Sequence, residues 1–281
     1  MPDKDSPPLI DERTLKICDI KLRKIKAKMT QDIHPSTLTA SMRDSIVEHF
    51  AVLSACSSVG LEDFPGVTHH QTAALLKYGD RGVQLPRETS FALEGYFAAD
   101  LLTRVKSRNA RRALTVDDIK EINALVMGRG ERMLSTGEFR KGGVILTGSS
   151  YSPPSPVDVP ARMDAWLARY TAAVNEETID PVMAALNAHL AIVHIHPFTD
   201  GNGRTARLVQ NGELAKHGYP PIIIPENQRG LYLKHMDTAL HGKPVDLYEF
   251  LLSNLSRTMD EMKRVVDVLR GVPEKDPGER S

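Results

Sequence analysis

The sequence is poor in cysteine and contains no long apolar run. Only two of the 281 residues are cysteine, Cys18 and Cys56, and neither belongs to a C-x-x-C pair. This usage fits a reducing compartment in which both thiols are buried or inert. No run of about 18 apolar residues occurs, which excludes a membrane-spanning helix, and the polar start of the chain lacks the apolar core of a signal peptide. We predict a cytoplasmic protein, although a secreted effector without a signal sequence would look the same.

The chain also lacks net charge and several common catalytic templates. Its 36 Lys and Arg residues balance 36 Asp and Glu residues, so no overall field steers it toward nucleic acid or an anionic membrane, and neither partner is predicted. There is no G-x-x-x-x-G-K-[ST] phosphate loop and no G-x-S-x-G nucleophile elbow. His189, His194 and His196 are not spaced to share one helical face, which disfavours zinc.

What the sequence does contain is a helical spacing of apolar residues along most of its length. Between residues 37 and 55, for example, Leu38, Met42, Ile46 and Phe50 form an amphipathic stripe. The pattern predicts an all-α fold without internal repeats. Helices are predicted over residues 37–55, 90–105, 115–127, 159–174, 181–194, 204–216, 228–240 and 247–269.

One stretch departs from this helical pattern. Residues 144–147 are β-prone and are flanked by Gly142, Gly143 and Gly148, and a proline-rich segment at 151–156 follows them. Proline removes backbone donors and cannot continue a helix. We predict a small β-hairpin flap in this region.

The densest concentration of reactive groups is residues 196–207, which join two predicted helices. Asp180 and Pro181 start the first helix, and Gly218 caps the second. The loop therefore enters a helix N-terminus, where unpaired N–H groups bind anions. His196 opens the loop and can accept a proton near neutral pH.

The remaining residues of the loop suit a nucleotide's phosphates. Gly201 and Gly203 allow the backbone to turn its N–H groups inward. Arg204 and Arg207 lie on one face of the first helical turn, where both can bind phosphate oxygens. Asp200 is placed to hold a divalent cation that bridges those phosphates.

Residues 196–207 match the signature of Fic-domain proteins, H-x-F-x-[D/E]-G-N-G-R-x-x-R, at every fixed position, so the chain resembles that family. Further resemblance lies in residues 137–140 and 144–154, which are similar to the flap, and in residues 218–221, Arg229 and Tyr232. The resemblance implies a Fic-type helical bundle with a small β-hairpin flap over the active-site loop. It also implies transfer of AMP from ATP to a Ser, Thr or Tyr hydroxyl of a target protein.

The resemblance assigns roles to individual residues. His196 would deprotonate the acceptor hydroxyl, Asp200 would hold Mg²⁺, and Phe198 would anchor the loop in the core. Residues 144–150 would hold a target segment in an extended pose above His196. The implied nucleotide-binding residues are Asp200, Gly201, Asn202, Gly203, Arg204, Arg207, Tyr232, Thr147, Gly148, Ser149 and Ser150.

An earlier segment is similar to the family's inhibitory motif, [S/T]-x-x-x-E-[G/N]. It comprises Ser90, Glu94 and Gly95 and precedes both the flap and the loop. A Glu94–Arg207 pair would keep Arg207 from the γ-phosphate and hold the enzyme inactive. The alternative is a helix whose glutamate faces solvent and has no part in regulation. In some relatives the same glutamate is thought to support deAMPylation.

Several functional alternatives stay open at this point. Leu240 replaces an asparagine that many relatives carry near the base pocket, so a Fic enzyme transferring UMP, phosphocholine or phosphate is one alternative. Gly203, in place of a lysine, disfavours the kinase-like branch. A non-catalytic nucleotide-binding regulator is another alternative, and a homodimer is left open. The predicted organisation is a disordered tail at 1–10, a helical region at 11–84, a Fic core at 85–255 with its inhibitory helix near 86–95, and a final helix and tail at 256–281.

Overall fold

The computed structural model describes residues 10–31, 38–62, 64–128, 137–146 and 149–272. Ten α-helices lie within these ranges, which confirms the all-α prediction. They are α1 (Glu12–Gln31), α2 (Ala40–Gly60), α3 (His69–Tyr78), α4 (Arg87–Ser107), α5 (Val116–Met127), α6 (Val159–Asn175), α7 (Pro181–Ile195), α8 (Asn202–Ala215), α9 (Arg229–Leu240) and α10 (Val245–Leu269).

The helix ends follow from local capping chemistry. The Asp180 side chain accepts a hydrogen bond from the Val182 backbone N–H at the start of α7, and Pro181 occupies the first helical position. At the start of α5, Thr115 and Asp118 form a reciprocal capping box. The starts of α7 and α5 were both predicted correctly, because the residues that begin each helix lie within a few positions of each other.

The helix α2 is longer than its apolar pattern indicates. The prediction ended it at residue 55, whereas α2 continues to Gly60. Its last two turns carry Ser54, Ser57 and Ser58, which break the amphipathic stripe but make hydrogen bonds to other elements. The extension brings the end of α2 to the N-terminus of α8.

The centre of the fold is α7, whose residues from Val182 to Ile195 are all buried. Helices α6, α8, α9 and α10 pack against it, and α5 packs on α8. Residues of α1 and α2 belong to the same hydrophobic cluster as those of α4 to α10, so the N-terminal helices share one core with the predicted Fic region. In the part of the chain described, no helix is both long and apolar enough to cross a membrane.

Two other predictions concern the cysteines and the flap. Cys18 and Cys56 are both buried free thiols, and burial raises the pKa of Cys18 to about 11, in line with the predicted inertness.

No strand occurs among residues 137–146 and 149–272, so the predicted β-hairpin is not confirmed there. An isolated pair of strands is marginal in water, and the prolines at 153, 154 and 156 supply no ladder donors.

Candidate active site

The loop between α7 and α8 is held in a closed turn by its own residues. His196 ends α7 in the left-handed conformation, with φ 51°, and Gly201 precedes α8 with φ 76°. The Asn202 side chain accepts from the Phe198 backbone N–H (2.9 Å) and donates to the Phe198 carbonyl (2.8 Å). Phe198 is fully buried and packs on Phe139, 6.0 Å away between ring centroids, as predicted for a loop anchor.

These bonds change the expected role of Asn202. The resemblance places Asn202 among the nucleotide-binding residues, but its side-chain amide is buried and already bonded to both the N–H and the carbonyl of Phe198. The backbone of Asn202, in the first turn of α8, keeps its place at the anion-binding end of the helix.

His196 is prepared to accept a proton. Its Nδ1 lies 3.2 Å from the Val193 carbonyl, which can only accept, so Nδ1 carries the hydrogen and Nε2 keeps its lone pair. Burial lowers the pKa of His196 to about 4; the Val193 bond opposes this shift and the charge of Arg140 adds to it. The ring is therefore neutral at pH 7.

Asp200 is the exposed carboxylate of the loop. Half of its side chain surface is accessible (50%), while Oδ1 accepts from the Gly201 N–H (2.6 Å) and lies 4.0 Å from Arg204 Nη2. Its carbonyl is held by the Asn123 amide of α5, at 3.0 Å. Within the described ranges no three metal-ligating side chains cluster. A single accessible carboxylate suits Mg²⁺, which keeps several waters and takes its other ligands from phosphates.

The two arginines of α8 differ in their surroundings. Arg204 is mostly buried and reaches the Val126 carbonyl (3.4 Å) and Met127 Sδ (3.5 Å). Arg207 is deeper and is bound by Ser58 of α2 and by Glu62, two residues beyond the end of that helix. Its Nε donates to Ser58 Oγ (2.8 Å), and its Nη2 donates to the Ser58 carbonyl (3.0 Å) and to Glu62 Oε1 (2.5 Å).

The predicted Glu94–Arg207 pair is therefore wrong, and the carboxylate on Arg207 belongs to Glu62. Burial raises the pKa of Glu62, but the charge and hydrogen bond of Arg207 outweigh burial and lower it overall. A Cβ added to Gly203 would lie 2.5 Å from Glu62 Oε1. The Glu62 carboxylate thus lies directly above the first turn of α8, where an anion is expected.

The segment with Ser90 and Glu94 has a different structural role. It lies in the first half of α4, a helix that continues for twelve residues beyond Gly95 to Ser107. A Cβ on Gly95 would lie 2.7 Å from the Leu125 carbonyl and 2.8 Å from that of Val126. Gly95 therefore allows α4 and α5 to pack closely and does not mark a helix end.

The described part of the flap is irregular and anchored to α9. Ile145 is 93% exposed, the Ser149 hydroxyl donates to Asp237, and Ser150 Oγ lies 3.3 Å from His241 Nε2. The predicted residues Thr147 and Gly148 lie outside the described residues. Ser149 and Ser150 thus face α9 in this structure.

Tyr232 is not placed on an open surface. It is buried, its hydroxyl lies 2.9 Å from His189 Nε2, and His189 Nδ1 lies 2.7 Å from Gln210 Oε1. This arrangement corrects the predicted nucleotide contact of Tyr232, since the phenol hydroxyl is hydrogen-bonded to His189 inside the core. Both ring nitrogens of His189 are therefore bonded inside the core.

Sequence reasoning missed Glu62, Ser58, Asn123 and Arg140. For the first two a signal existed: Ser58 and Glu62 have the same spacing as Ser90 and Glu94, but the residue after Glu62 is Asp63 instead of Gly or Asn. Asn123 gave no such signal, and Arg140 gave only its place in the flap-like segment 137–140. Their partners in the loop and in α8 lie 56 to 82 residues away in sequence.

The fold and the loop geometry define a helical bundle of the Fic type. A Fic domain-containing signalling protein from Bacteroides thetaiotaomicron superposes with a TM-score of 0.76 at 23% identity, over 91% of this chain and 100% of that one. Fic-1 from C. elegans superposes with a TM-score of 0.74 at 22% identity, over 92% and 74%.

Sequence comparison identifies the family. Residues 113–214 match the model of the Fic/DOC family, and the chain carries a Fic domain. It is 30% identical over 270 residues to "Protein adenylyltransferase Fic" of Drosophila melanogaster, which covers 89% of this chain and 48% of the relative. The protein of the same description from Nematostella vectensis is 37% identical over 151 residues. The chain spans about half the length of the Drosophila relatives that it matches.

Proposed function

We propose that this chain is a protein adenylyltransferase that transfers AMP from ATP to a Ser, Thr or Tyr hydroxyl of a target protein. One observation carries the proposal. A neutral His196 whose Nε2 is available lies four to six residues before a glycine-flanked helix N-terminus. The description of the Drosophila relative supports the choice of AMP as the transferred group.

The loop performs each part of the reaction with a separate group. His196 Nε2 takes the proton of the target hydroxyl, whose oxygen then bonds to the α-phosphorus of ATP. The bond from that phosphorus to the bridging oxygen breaks, and pyrophosphate leaves. The first turn of α8 and the guanidinium groups of Arg204 and Arg207 neutralise charge on the phosphates. Asp200 would hold Mg²⁺, which when bound supplies further charge neutralisation.

The resting protein is inhibited by Glu62. Its carboxylate occupies the space above Gly203 and pairs with Arg207, the group needed for the γ-phosphate. The Glu62 side chain is 35% exposed, so the carboxylate is partly accessible to solvent. Release of Glu62 from Arg207 would open the productive site.

The acceptor is a protein segment that docks on the flap. Ile145, almost fully exposed on the flap, offers an apolar contact for an extended target segment. Cytoplasmic location and a homodimer stay predictions.

Label transfer tests the reaction directly. The Glu62→Gly protein is incubated with Mg²⁺, a cell lysate and ATP labelled at either the α- or the γ-phosphate. Label from α-labelled ATP alone is expected on protein, and His196→Ala in the same background should abolish it. His70→Ala is the matched control, since His70 is exposed on α3.

The same assay separates the alternatives. Transfer of γ-label would indicate a kinase-like reaction, and transfer only from UTP or CDP-choline in a donor panel would indicate another donor. ATP binding without any modified protein would indicate a nucleotide-binding regulator. Loss of AMP from a labelled target on adding wild-type protein, but not Glu62→Gly, would reveal deAMPylation.

A further inference from the structure

A buried guanidinium lies beside the catalytic loop but outside its phosphate-binding residues. Arg140 is only 3% exposed, and no carboxylate pairs with it among the residues described. Its side chain donates instead to three backbone carbonyls. Nε reaches the His196 oxygen at 2.8 Å, Nη1 the Gly142 oxygen at 3.1 Å, and Nη2 the Pro154 oxygen at 2.5 Å.

Two of the bonds made by Arg140 fix the backbone of the base. Besides the side-chain bond to the His196 carbonyl, the Arg140 backbone N–H donates to the Pro197 carbonyl at 2.9 Å. His196 is one of two non-glycine residues with positive φ in the described chain. Such a conformation persists only where the surroundings determine it. Arg140 supplies two of these determinants, one on each of two successive carbonyls.

The other two side-chain bonds fix the flap. Gly142 and Pro154 stand at its two ends, and both carbonyls bind the guanidinium that holds His196. Arginine suits this position because its planar group donates in three directions at once, whereas the lysine ammonium is compact and flexible.

We infer that Arg140 is a positioning residue that sets the flap, and the target segment on it, at a fixed place relative to the His196 base. The inference rests on the proposed function, because it assigns the flap to the target and His196 to the acceptor hydroxyl. It also makes Arg140 specific to the acceptor side of the reaction. The phosphate-binding turn of α8 has its own support, the Asn202–Phe198 bonds.

The test compares Arg140→Met and Arg140→Lys in the Glu62→Gly background, with Arg257→Met on the exposed side of α10 as the matched control. We expect Arg140→Met to lower kcat roughly a hundredfold, the loss that a misplacement of about 1 Å causes. The Kd for ATP should change less than about threefold. The kcat of Arg140→Lys should lie between those of the parent and of Arg140→Met, since a lysine cannot reach all three carbonyls. Amide hydrogen exchange across residues 142–154 should accelerate in both variants but not in Arg257→Met.

Three results would overturn the inference. They are unchanged kcat in Arg140→Met, a loss of ATP affinity that parallels the loss of kcat, and flap exchange equal to that of the parent. If Arg140→Met does not fold, the same measurements on Arg140→Lys decide. If the Glu62→Gly parent transfers no AMP, the proposed function fails, while the exchange and ATP-binding comparisons still test whether Arg140 holds the flap.

Discussion

The helices α2 and α4 offer the same short pattern, a serine followed four residues later by a glutamate, with opposite outcomes. On α2 the pattern runs over the helix end, so Glu62 follows the last turn and its carboxylate reaches Arg207. On α4 it lies within the helix, and its following glycine packs on α5. The comparison teaches that where a motif stands relative to a helix end decides which partner it can reach.

The largest difference between the two helices is expected in catalysis. Glu62→Gly should raise AMP transfer roughly ten- to hundredfold, because the hydrogen bond to a charged partner that it removes is worth about 1.5–3 kcal/mol. Glu94→Gly should leave transfer near the wild-type rate. The measurement is the initial rate of α-label incorporation, with ATP-induced change in Tm as a second readout. Activation by Glu94→Gly but not by Glu62→Gly would contradict the assignment of the inhibitory role to Glu62.

A pair of glycine substitutions tests the packing side of the comparison. Gly95→Ala should destabilise the fold by about 1–3 kcal/mol, since the new Cβ meets two backbone carbonyls that cannot easily move. Gly60→Ala on α2 has its nearest contact, Glu226 Oε2, at 4.0 Å and should be neutral or stabilise the fold by up to about 1 kcal/mol. Denaturant unfolding measures both. Equal free energies of unfolding for the two variants would contradict the close approach of α4 to α5.

The serines give a smaller, graded effect. Ser58→Ala removes the acceptor for Arg207 Nε and should activate transfer severalfold, less than Glu62→Gly, because the Ser58 carbonyl and Glu62 still bind Arg207. Ser90→Ala on α4 is the control and should not activate. The rate assay used for Glu62→Gly measures both serine variants. Activation by Ser90→Ala would contradict the assignment of the inhibitory role to the end of α2.

The smallest predicted effect is on pH dependence. The folded-state pKa of His196 is lowered, mainly by burial, so the base stays neutral until the pH falls through about 4. The acidic limb of kcat/KM should therefore lie well below the ordinary histidine value of about 6.5. The Glu62 charge raises the pKa of His196, so Glu62→Gln should move the limb to lower pH, while Glu94→Gln should not. A limb near 6.5 in every variant would contradict the burial of the base.

Burial of His189 and His196 also makes the stability of the fold depend on pH, which matters when activity is measured in acid. Burial lowers the pKa of His189 to about 3 and that of His196 to about 4. The unfolded chain then binds more protons than the folded one below about pH 6.5. The free energy of unfolding should fall as the pH decreases through that window, and loss of activity must be measured where the protein is still folded.

Much of the fold was predictable because its signals are local. The Asp180 cap and apolar residues at helical spacing identified most helices within a few residues. The end of α2 was missed because its last turn is polar and makes its bonds to α8 and to residue 224. The predicted hairpin is not confirmed in the described part of the flap, because β propensity without a neighbouring strand does not produce a ladder.

The sequence alone determined the chemistry of the loop: one histidine, one carboxylate, two glycines and two arginines in twelve residues, on the approach to a helix. Covalent spacing along the chain is enough to bring such groups together. Only the tertiary structure decided which carboxylate meets Arg207 and which guanidinium holds His196 and the flap. The Arg140–His196 and Glu62–Arg207 contacts join residues 56 and 145 positions apart. Packing of whole helices, which no short pattern encodes, brings these residues within hydrogen-bond distance.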